Sequence, residues 1–300
     1  MSECGASFIQ KASYTSGTSG YWTIPDVEYR GQRVIVDLMQ GVLPVRTQEE
    51  HARHFIDAQQ RGDFHVADLP LYMGIFRKVC QIHERGDVQE KEMVENIQGF
   101  LKKQLEKYSF LTLTRIFYNP EALDFIYHGY ALPAAYSYQN QVEVVGKNGV
   151  LEEVVTHELG EVLLGTPRIE EVVHALRWIM GDSLKIWRMN QRPLQSDARV
   201  ARFVAGSGGA YLYCGGYPAY SDSGLGVRFR RQKNLADLHA IVLDGETQFY
   251  PYGTPADWER QRIANLILEQ KEMNEADLRG LQRTLENYIN KNEGKNEKGV

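Results

Sequence analysis

The stretch from Asp197 to Arg231 constrains the fold most, because a two-residue period runs through it and one half of that period uses few residue types. It reads DARVARFVAGSGGAYLYCGGYPAYSDSGLGVRFRR. A period of two predicts β-strands whose side chains face opposite sides in turn. The interleaved positions hold only Ala, Val, Gly, Tyr and Asp. They are Ala201, Val204, Gly206, Gly208, Gly209, Tyr211, Tyr213, Gly215, Gly216, Tyr217, Ala219, Tyr220, Asp222 and Gly224.

This alternation resembles the variable region of diversity-generating retroelement target proteins. In that family, reverse transcription randomises the adenines of a template repeat, so Asn AAC codons become codons for residues such as Ala, Val, Gly, Tyr and Asp. The ending Ser221–Arg228 (SDSGLGVR) resembles the closing strand of the C-type lectin fold, which usually carries such regions. The resemblance implies a hypervariable ligand surface on the interleaved residues, within about 199–228, and a phage or prokaryotic origin. A variable region usually ends its protein, whereas residues 232–300 follow this one.

The residues between the interleaved ones are predicted to be scaffold. Tyr gives rigid, amphipathic contact area and Gly and Ser adapt, so the interleaved set is also physically suited to binding. Tyr211, Tyr213, Tyr217 and Tyr220 are the expected anchors of a protein or surface ligand. The alternative is an ordinary β-hairpin with a Gly/Ser-rich turn. The expected scaffold residues are Arg199, Arg202, Phe203, Leu212, Leu225, Val227 and Arg228.

Residues 1–108 are predicted to form an N-terminal hairpin and helical region. Trp22–Leu38 reads as a hairpin that turns at Gly31. Thr47 and Glu50 form a capping box that starts a helix reaching Arg61. Two more helices are expected over residues 71–83 and 89–108.

Residues 109–233 are predicted to form the C-type-lectin-like module of an α+β protein. The expected strands cover 110–118, 123–128 and 184–189, and a hairpin over 141–154 is expected to turn at Asn148-Gly149. Two helices are expected between them, over 156–164 and from Thr166, as cap, to Gly181. The order of these elements is compatible with that module.

Residues 234–300 are predicted to form a C-terminal strand and helical appendage with a polar, disordered tail. One helix carries Leu278, Leu281, Leu285 and Ile289 on a single stripe. That stripe can pack on the parent domain or pair with a second copy, so a homo-oligomer is left open.

Composition excludes several classes. The net charge of −5 gives no general attraction to nucleic acid or membrane. The three cysteines, Cys4, Cys80 and Cys214, are too far apart for a disulfide framework. Neither a secretory signal nor a membrane-spanning run is visible, so a cytoplasmic or virion-associated location is expected.

Two functional alternatives remain open. Nine basic and two acidic residues between Lys185 and Lys233, together with nearby aromatic residues, could bind nucleic acid. His157 and Glu161 share a helix face and could ligate the metal of a hydrolase, although the HExxH pattern of zincins is incomplete. His51 and His54 are expected to face solvent. The preferred interpretation is a non-enzymatic binding protein without cofactor or metal.

Overall fold

The computed structural model of the chain describes residues 10–13, 20–129, 138–206 and 209–229. Every described residue belongs to one compact unit. Within these ranges the architecture is α+β, with six helices and an 11-stranded open sheet. A second unit, residues 133–135 and 249–300, lies outside the described residues. So do all of residues 234–300, with the predicted strand, helices and polar tail.

The elements have the following bounds. The strands are β1 (Gln10–Ser13), β2 (Gly20–Tyr29), β3 (Gln32–Arg46), β4 (Phe110–Tyr118), β5 (Asp124–His128), β6 (Tyr138–Val142), β7 (Gly149–Val150), β8 (Lys185–Trp187), β9 (Asp197–Gly206), β10 (Gly209–Gly216) and β11 (Asp222–Phe229). The helices are α1 (Gln48–Arg61), α2 (Leu69–Arg85), α3 (Val88–Lys107), α4 (Leu151–Val154), α5 (His157–Leu164) and α6 (Ile169–Met180).

The sheet joins the beginning of the chain to residues almost 200 positions later. Its strand order is β1-β2-β3-β11-β4-β9-β10-β8-β7, with β5 on β4 and β6 on β5. Strand β11 pairs antiparallel with β3, from Asp222 opposite Arg46 to Phe229 opposite Val36. It meets β4 through a single parallel pair, Ser223 with Phe110. The segment predicted to close the lectin-like module is therefore an interior strand of the sheet.

The predicted N-terminal hairpin is confirmed as β2 and β3. Its two turn residues, Arg30 and Gly31, have φ angles of 49° and 72°. Positive φ at both central residues gives a turn whose twist matches that of paired strands. Glycine adopts such angles without steric cost, which explains why the chain reverses at this point.

The predicted helix starts are largely confirmed by their caps. The Thr47 hydroxyl accepts a hydrogen bond from Glu50 N, and the Glu50 carboxylate accepts one from Thr47 N at 2.8 Å. Helix α2 is capped by Asp68, whose carboxylate accepts from Leu71 N at 3.1 Å. The other oxygen of Asp68 accepts from the Tyr29 hydroxyl at 2.7 Å and from the Arg30 guanidinium at 2.6 Å. One carboxylate thus caps α2 and ties it to the hairpin turn.

The start of α6 differs from the prediction. Thr166 was expected to cap it, but the helix begins at Ile169 after Arg168, whose side chain makes no capping hydrogen bond. The Thr166 hydroxyl instead accepts from Arg168 N at 3.2 Å. It therefore stabilises the turn before the helix rather than its first amides.

The hairpin predicted over residues 141–154 is wrong. Strand β6 ends at Val142 and pairs with β5, while β7 pairs with β8 and α4 follows directly. The buried Asp124 carboxylate accepts from Val144 N at 2.7 Å. The Asn148 side chain accepts from Arg188 N at 2.6 Å, so the Asn-Gly pair contacts a distant segment rather than closing a turn. Side-chain acceptors here replace the ladder that a hairpin would form.

A single hydrophobic cluster crosses the boundary predicted at residues 108 and 109. It contains side chains of β2 and β3, of α1, α2 and α3, of β4 to β6 and of β8 to β11. The rings of Phe76 in α2 and Phe203 in β9 lie 6.0 Å apart in an edge-to-face arrangement. The N-terminal helices therefore share one core with the strands that follow. Among the described helices, none is long and apolar enough to cross a membrane.

Candidate binding surface on strands β8, β9 and β10

Strand β10 separates its side chains between two environments. Ala210, Leu212 and Cys214 are buried, with Leu212 and Cys214 fully so. Tyr211 and Tyr213, which alternate with them, are partly exposed. The period of two predicted from the sequence is therefore observed on this strand, with tyrosine on the outer face.

The neighbouring strands extend this outer face. In register, Tyr211 lies opposite Val204 of β9, while Tyr213 lies between Arg202 of β9 and Trp187 of β8. The Trp187 ring, 47% exposed, lies 5.5 Å from the Tyr211 ring. Cross-strand neighbours of this kind stabilise one another on a sheet surface. Three aromatic side chains, Trp187, Tyr211 and Tyr213, are therefore neighbours on the outer face of the sheet.

The turn between β10 and β11 adds two further tyrosines. Tyr217 and Tyr220 are 49% and 52% exposed, and their rings lie 5.3 Å apart, nearly perpendicular. The Tyr220 amide donates to the Tyr217 carbonyl at 3.0 Å, which fixes the turn. We call the five exposed and partly exposed rings together the tyrosine face. It comprises Trp187, Tyr211, Tyr213, Tyr217 and Tyr220.

Arg202 connects the strand part of the tyrosine face to the turn part. Its guanidinium forms an ion pair with the Asp222 carboxylate. The same group lies 5.6 Å from the Tyr213 ring centre and 5.8 Å from that of Tyr220. A cation at this distance from an aromatic ring is attracted to its face. Arg202 therefore orients both rings while its charge is balanced by Asp222.

Arg199 holds the outer end of the tyrosine face. Its Nε donates to the Asp197 carboxylate at 2.9 Å, and its guanidinium lies 3.7 Å from the Tyr217 ring centre. Burial opposes the charge, but hydrogen bonds with Asp197 and Tyr217 prevail and raise the pKa of Arg199. Arg199 and Arg202 are thus structural cations under aromatic rings, as predicted for scaffold residues.

The other predicted scaffold residues are buried or, for Arg228, partly buried. Arg228 donates to the fully buried Asp37 carboxylate at 2.7 Å, and its guanidinium lies 4.7 Å from the Phe64 ring centre. It therefore joins β11 to β3 across the sheet. The apolar scaffold residues are each fully buried: Phe203, Leu212, Leu225 and Val227.

Several interleaved residues lie on or near the tyrosine face. Val204 and Asp222 are partly exposed, and Gly206 and Ala219 are exposed. Gly208 lies outside the described residues, and Gly209 is the first residue of β10. The alternation therefore separates surface from core for most, but not all, of the predicted ligand residues.

Four interleaved residues are buried and do not reach the surface: Ala201, Gly215, Gly216 and Gly224. The Ala201 carbonyl accepts from the Thr112 hydroxyl at 2.6 Å, and its methyl group belongs to the hydrophobic core. A Cβ added to Gly224 would lie 2.2 Å from Cγ2 of Val66, which is closer than atoms can approach. We therefore correct the predicted ligand set by removing these four residues.

Histidine His51 was expected to face solvent, and this is wrong. It is fully buried behind the turn, where its Nε2 lies 3.1 Å from the Asp222 carbonyl oxygen. Burial lowers the pKa of His51, so the neutral ring is favoured. His54, on the same helix, is partly buried. The first turn of α1 thus supports the tyrosine face from inside.

His157 and Glu161 are both exposed on α5. Nδ1 of His157 lies 2.8 Å from the Pro167 carbonyl oxygen, so this ring nitrogen donates to the backbone. Within the described residues, no third ligand joins them to complete a metal site. The arrangement gives no support to a hydrolase at this position.

Trp187 is the exposed ring that the predicted ligand set omits. The sequence contains a signal for its exposure, because Ile186 is buried between Lys185 and Trp187 and the period of two places both neighbours outside.

Comparison with protein-family models, with curated proteins and with solved structures finds no match to this chain. The interpretation of the tyrosine face therefore rests on its own geometry.

Proposed function

We propose that this chain is a ligand-binding protein whose tyrosine face makes the contact, and that mutagenic reverse transcription by a retroelement diversifies that face. The observation that carries the proposal is the separation of the two residue sets. The apolar residues predicted to be constant are buried, whereas the four tyrosines are outside and adjacent. A sequence can change on such a face without disturbing the core.

The chemistry of the tyrosine face suits a protein or another extended surface as ligand. Tyr and Trp contribute large contact areas at low entropic cost because they have only two rotatable side-chain bonds. Such rings are the residue types that dominate binding energy at protein interfaces. Arg199 and Arg202 hold Tyr217, Tyr213 and Tyr220 in place before any ligand arrives, and this reduces the cost of ordering them.

We also propose that residues 109–233 form a C-type-lectin-like module, which the structure describes up to residue 229 with gaps at 130–137 and 207–208. The elements β4, β5, α5, α6 and then β9 to β11 come in the predicted order of strands, helices and further strands. The Gly-Val-Arg segment lies on β11, which completes the sheet between β3 and β4. The N-terminal hairpin would then be an integral part of this module, since β3 supplies the long partner of β11.

Nucleic-acid binding is less well supported by the charges. Arg199, Arg202 and Arg228 are each paired with a carboxylate of the same chain. Arg192 pairs with Asp124 and Glu143. Paired guanidinium groups are poor partners for phosphate because their charge is already balanced, so little counterion release is expected.

The decisive experiment is a search of the neighbouring genomic DNA for an imperfect copy of the segment encoding Arg199–Arg228. We expect a copy that differs almost only at its adenines, beside a reverse-transcriptase gene. The differences should include the codons of Tyr211, Tyr213, Tyr217 and Tyr220. The codons of the buried Ala201 and Gly224 should encode only small residues in every recovered variant.

A complete genome without such a copy would overturn the diversification proposal. Binding itself is then tested separately with single-stranded oligonucleotides at increasing salt. Binding that weakens steeply with salt and is lost in Tyr213→Ala would favour the nucleic-acid interpretation. If no copy is found and no oligonucleotide binds, the tyrosine face remains a binding surface only if a protein ligand is recovered with it.

A further inference from the structure

Helices α2 and α6 bring three different metal-ligand side chains to one spot. Cys80 and Glu84 come from α2, and His174 comes from α6. Their sulfur, carboxylate and imidazole ligand atoms all lie within 4.8 Å of one another. In the part of the chain that the structure describes, this is the one group of three such side chains gathered so closely. It involves none of the residues of the tyrosine face.

The spacing of these atoms fits a small tetrahedral ion. Cys80 and Glu84 are four residues apart and so share one face of α2. Nε2 of His174 lies 2.6 Å from Oε1 of Glu84. Zinc held by bonds of about 2.0–2.3 Å separates its ligand atoms by roughly 3.3–3.6 Å. The His174–Glu84 distance is that of a direct ion pair and is shorter than this range, so both exposed side chains must rotate apart slightly to admit the ion.

The two helices are held together on either side of the cluster. One turn before it, Arg77 donates to Glu171 at 3.0 Å through Nε. Beside Glu84 on α2, the His83 ring lies 4.9 Å from the ring of Trp178, which is one turn beyond His174 on α6. The Gln98 amide of α3 donates to the Trp178 carbonyl at 2.6 Å and so anchors α6 to a third helix. These contacts keep the backbone positions of the ligands in place, as a metal site requires.

The donor set selects among metals. A thiolate, an imidazole and one carboxylate suit zinc and its neighbours, whereas magnesium and calcium prefer oxygen ligands only. Burial, reinforced by the negative charge of Glu84, raises the pKa of the Cys80 thiol to about 11. The ion-free protein therefore keeps a protonated thiol, which must lose its proton to solvent when the metal binds.

We propose that Cys80, Glu84 and His174 form a Zn²⁺ site that clamps α2 to α6 and leaves a fourth position open to water. Cys80 binds as the thiolate, Glu84 through one carboxylate oxygen, and His174 through Nε2 with its proton on Nδ1. Glu84 and His174 are exposed, with side chains 43% and 62% accessible, so the ion can enter from solvent. Cys80 closes the inner side of the site.

The test uses the full chain in a Cys4→Ser background, because the Cys4 thiol could itself bind zinc or cobalt. Chelator-treated protein is titrated with zinc by calorimetry, and bound metal is counted by mass spectrometry. We expect one zinc per chain, a higher melting temperature with zinc, and at least about tenfold weaker binding in His174→Gln. Cobalt loading should give thiolate-to-metal charge-transfer absorption that disappears in Cys80→Ala.

The matched control is His157→Gln, since His157 is also an exposed helix histidine with a Glu four residues away. It should bind zinc as the parent does. The proposal is overturned if the parent binds no zinc, or if His174→Gln binds as well as His157→Gln. Loss of binding in His157→Gln alone would place the metal on α5 instead. Because His174 is exposed, its substitution leaves folding intact even if Cys80→Ala does not.

Discussion

The two faces of the β9–β10 hairpin differ in what limits their sequence. On the inner face Phe203, Leu212 and Cys214 are fully buried against the helices. On the outer face the rings of Tyr211 and Tyr213 contact other surface side chains and solvent. From Ala210 to Cys214 the period of two lets one stretch satisfy both demands, because adjacent side chains point to opposite faces of the sheet. The inner and outer faces of this strand can therefore change independently in sequence.

The largest expected effect lies on the inner face. Phe203→Ala removes a fully buried ring that contacts the Phe76 ring. We expect the free energy of unfolding to fall by roughly 3–5 kcal/mol, since the cavity left behind collapses only in part. Urea unfolding followed by circular dichroism measures this. A loss below about 1 kcal/mol would contradict the assignment of Phe203 to the core.

Acid should weaken the interior, where His128 is buried. His128 donates from Nε2 to the Val162 carbonyl at 2.7 Å, and its Nδ1 lies 3.0 Å from the Thr114 hydroxyl, which suits the neutral ring. Burial lowers the pKa of His128 from 6.5 to about 4. Because the folded pKa is the lower one, its contribution is complete above pH 6.5 and is lost as the pH falls towards 4.

The lowered pKa of His128 corresponds to about 3 kcal/mol of unfolding free energy at neutral pH. Urea midpoints measured between pH 7.5 and 4 should fall, and they should fall less steeply in His128→Gln. Equal slopes for the two proteins would mean that His128 titrates alike in the folded and unfolded chains.

Substitution of two interleaved glycines, one buried and one exposed, tests whether burial limits which residues a position can hold. Gly224→Ala places a methyl group against Val66 and should cost about 1–3 kcal/mol through overpacking. Gly206→Ala adds the same group at an exposed position and should change stability by no more than about 0.5 kcal/mol. Thermal unfolding of both variants gives the comparison. Similar losses would mean that burial does not decide which interleaved positions can vary.

Only a small loss of stability is expected where binding should change most. Tyr217→Ala removes an exposed ring that covers Arg199, and about 0.5–1 kcal/mol of cation–π energy should go with it. The melting temperature should move by only a few degrees, while affinity for a selected protein ligand should fall at least about tenfold. Titration calorimetry with parent and variant tests this. Unchanged affinity would exclude Tyr217 as an anchor.

Local signals in the sequence predict much of the fold. Thr47 with Glu50, Gly31 and Gly181 each specify a cap or turn through their own chemistry, so the nearby elements are found at the expected places. The failed hairpin over 141–154 depends on Asp124, which lies outside that segment and captures its amides. The residue pattern within 141–154 cannot predict a hydrogen-bond acceptor that lies elsewhere in the chain.

The candidate site was predictable to the same extent. Alternation places the tyrosines outside because it depends only on neighbouring residues. The burial of Ala201 and Gly224 depends on Thr112 and Val66, which come from other parts of the chain. The buried position of His51 likewise depends on Asp222, which is 171 residues away in sequence. Tertiary packing decides these positions, and a single sequence does not reveal it.

The interior position of β11 also sets the order of events during synthesis. Strand β3 leaves the ribosome early, yet its partner on one side is made only when residues 222–229 emerge. Until then the edge of a long strand is exposed and able to pair with another nascent chain. Contacts of such sequence separation slow folding because a large loop must close first. Strand β11, which follows Tyr217 and Tyr220 in the chain, is thus the last described segment that completes this sheet.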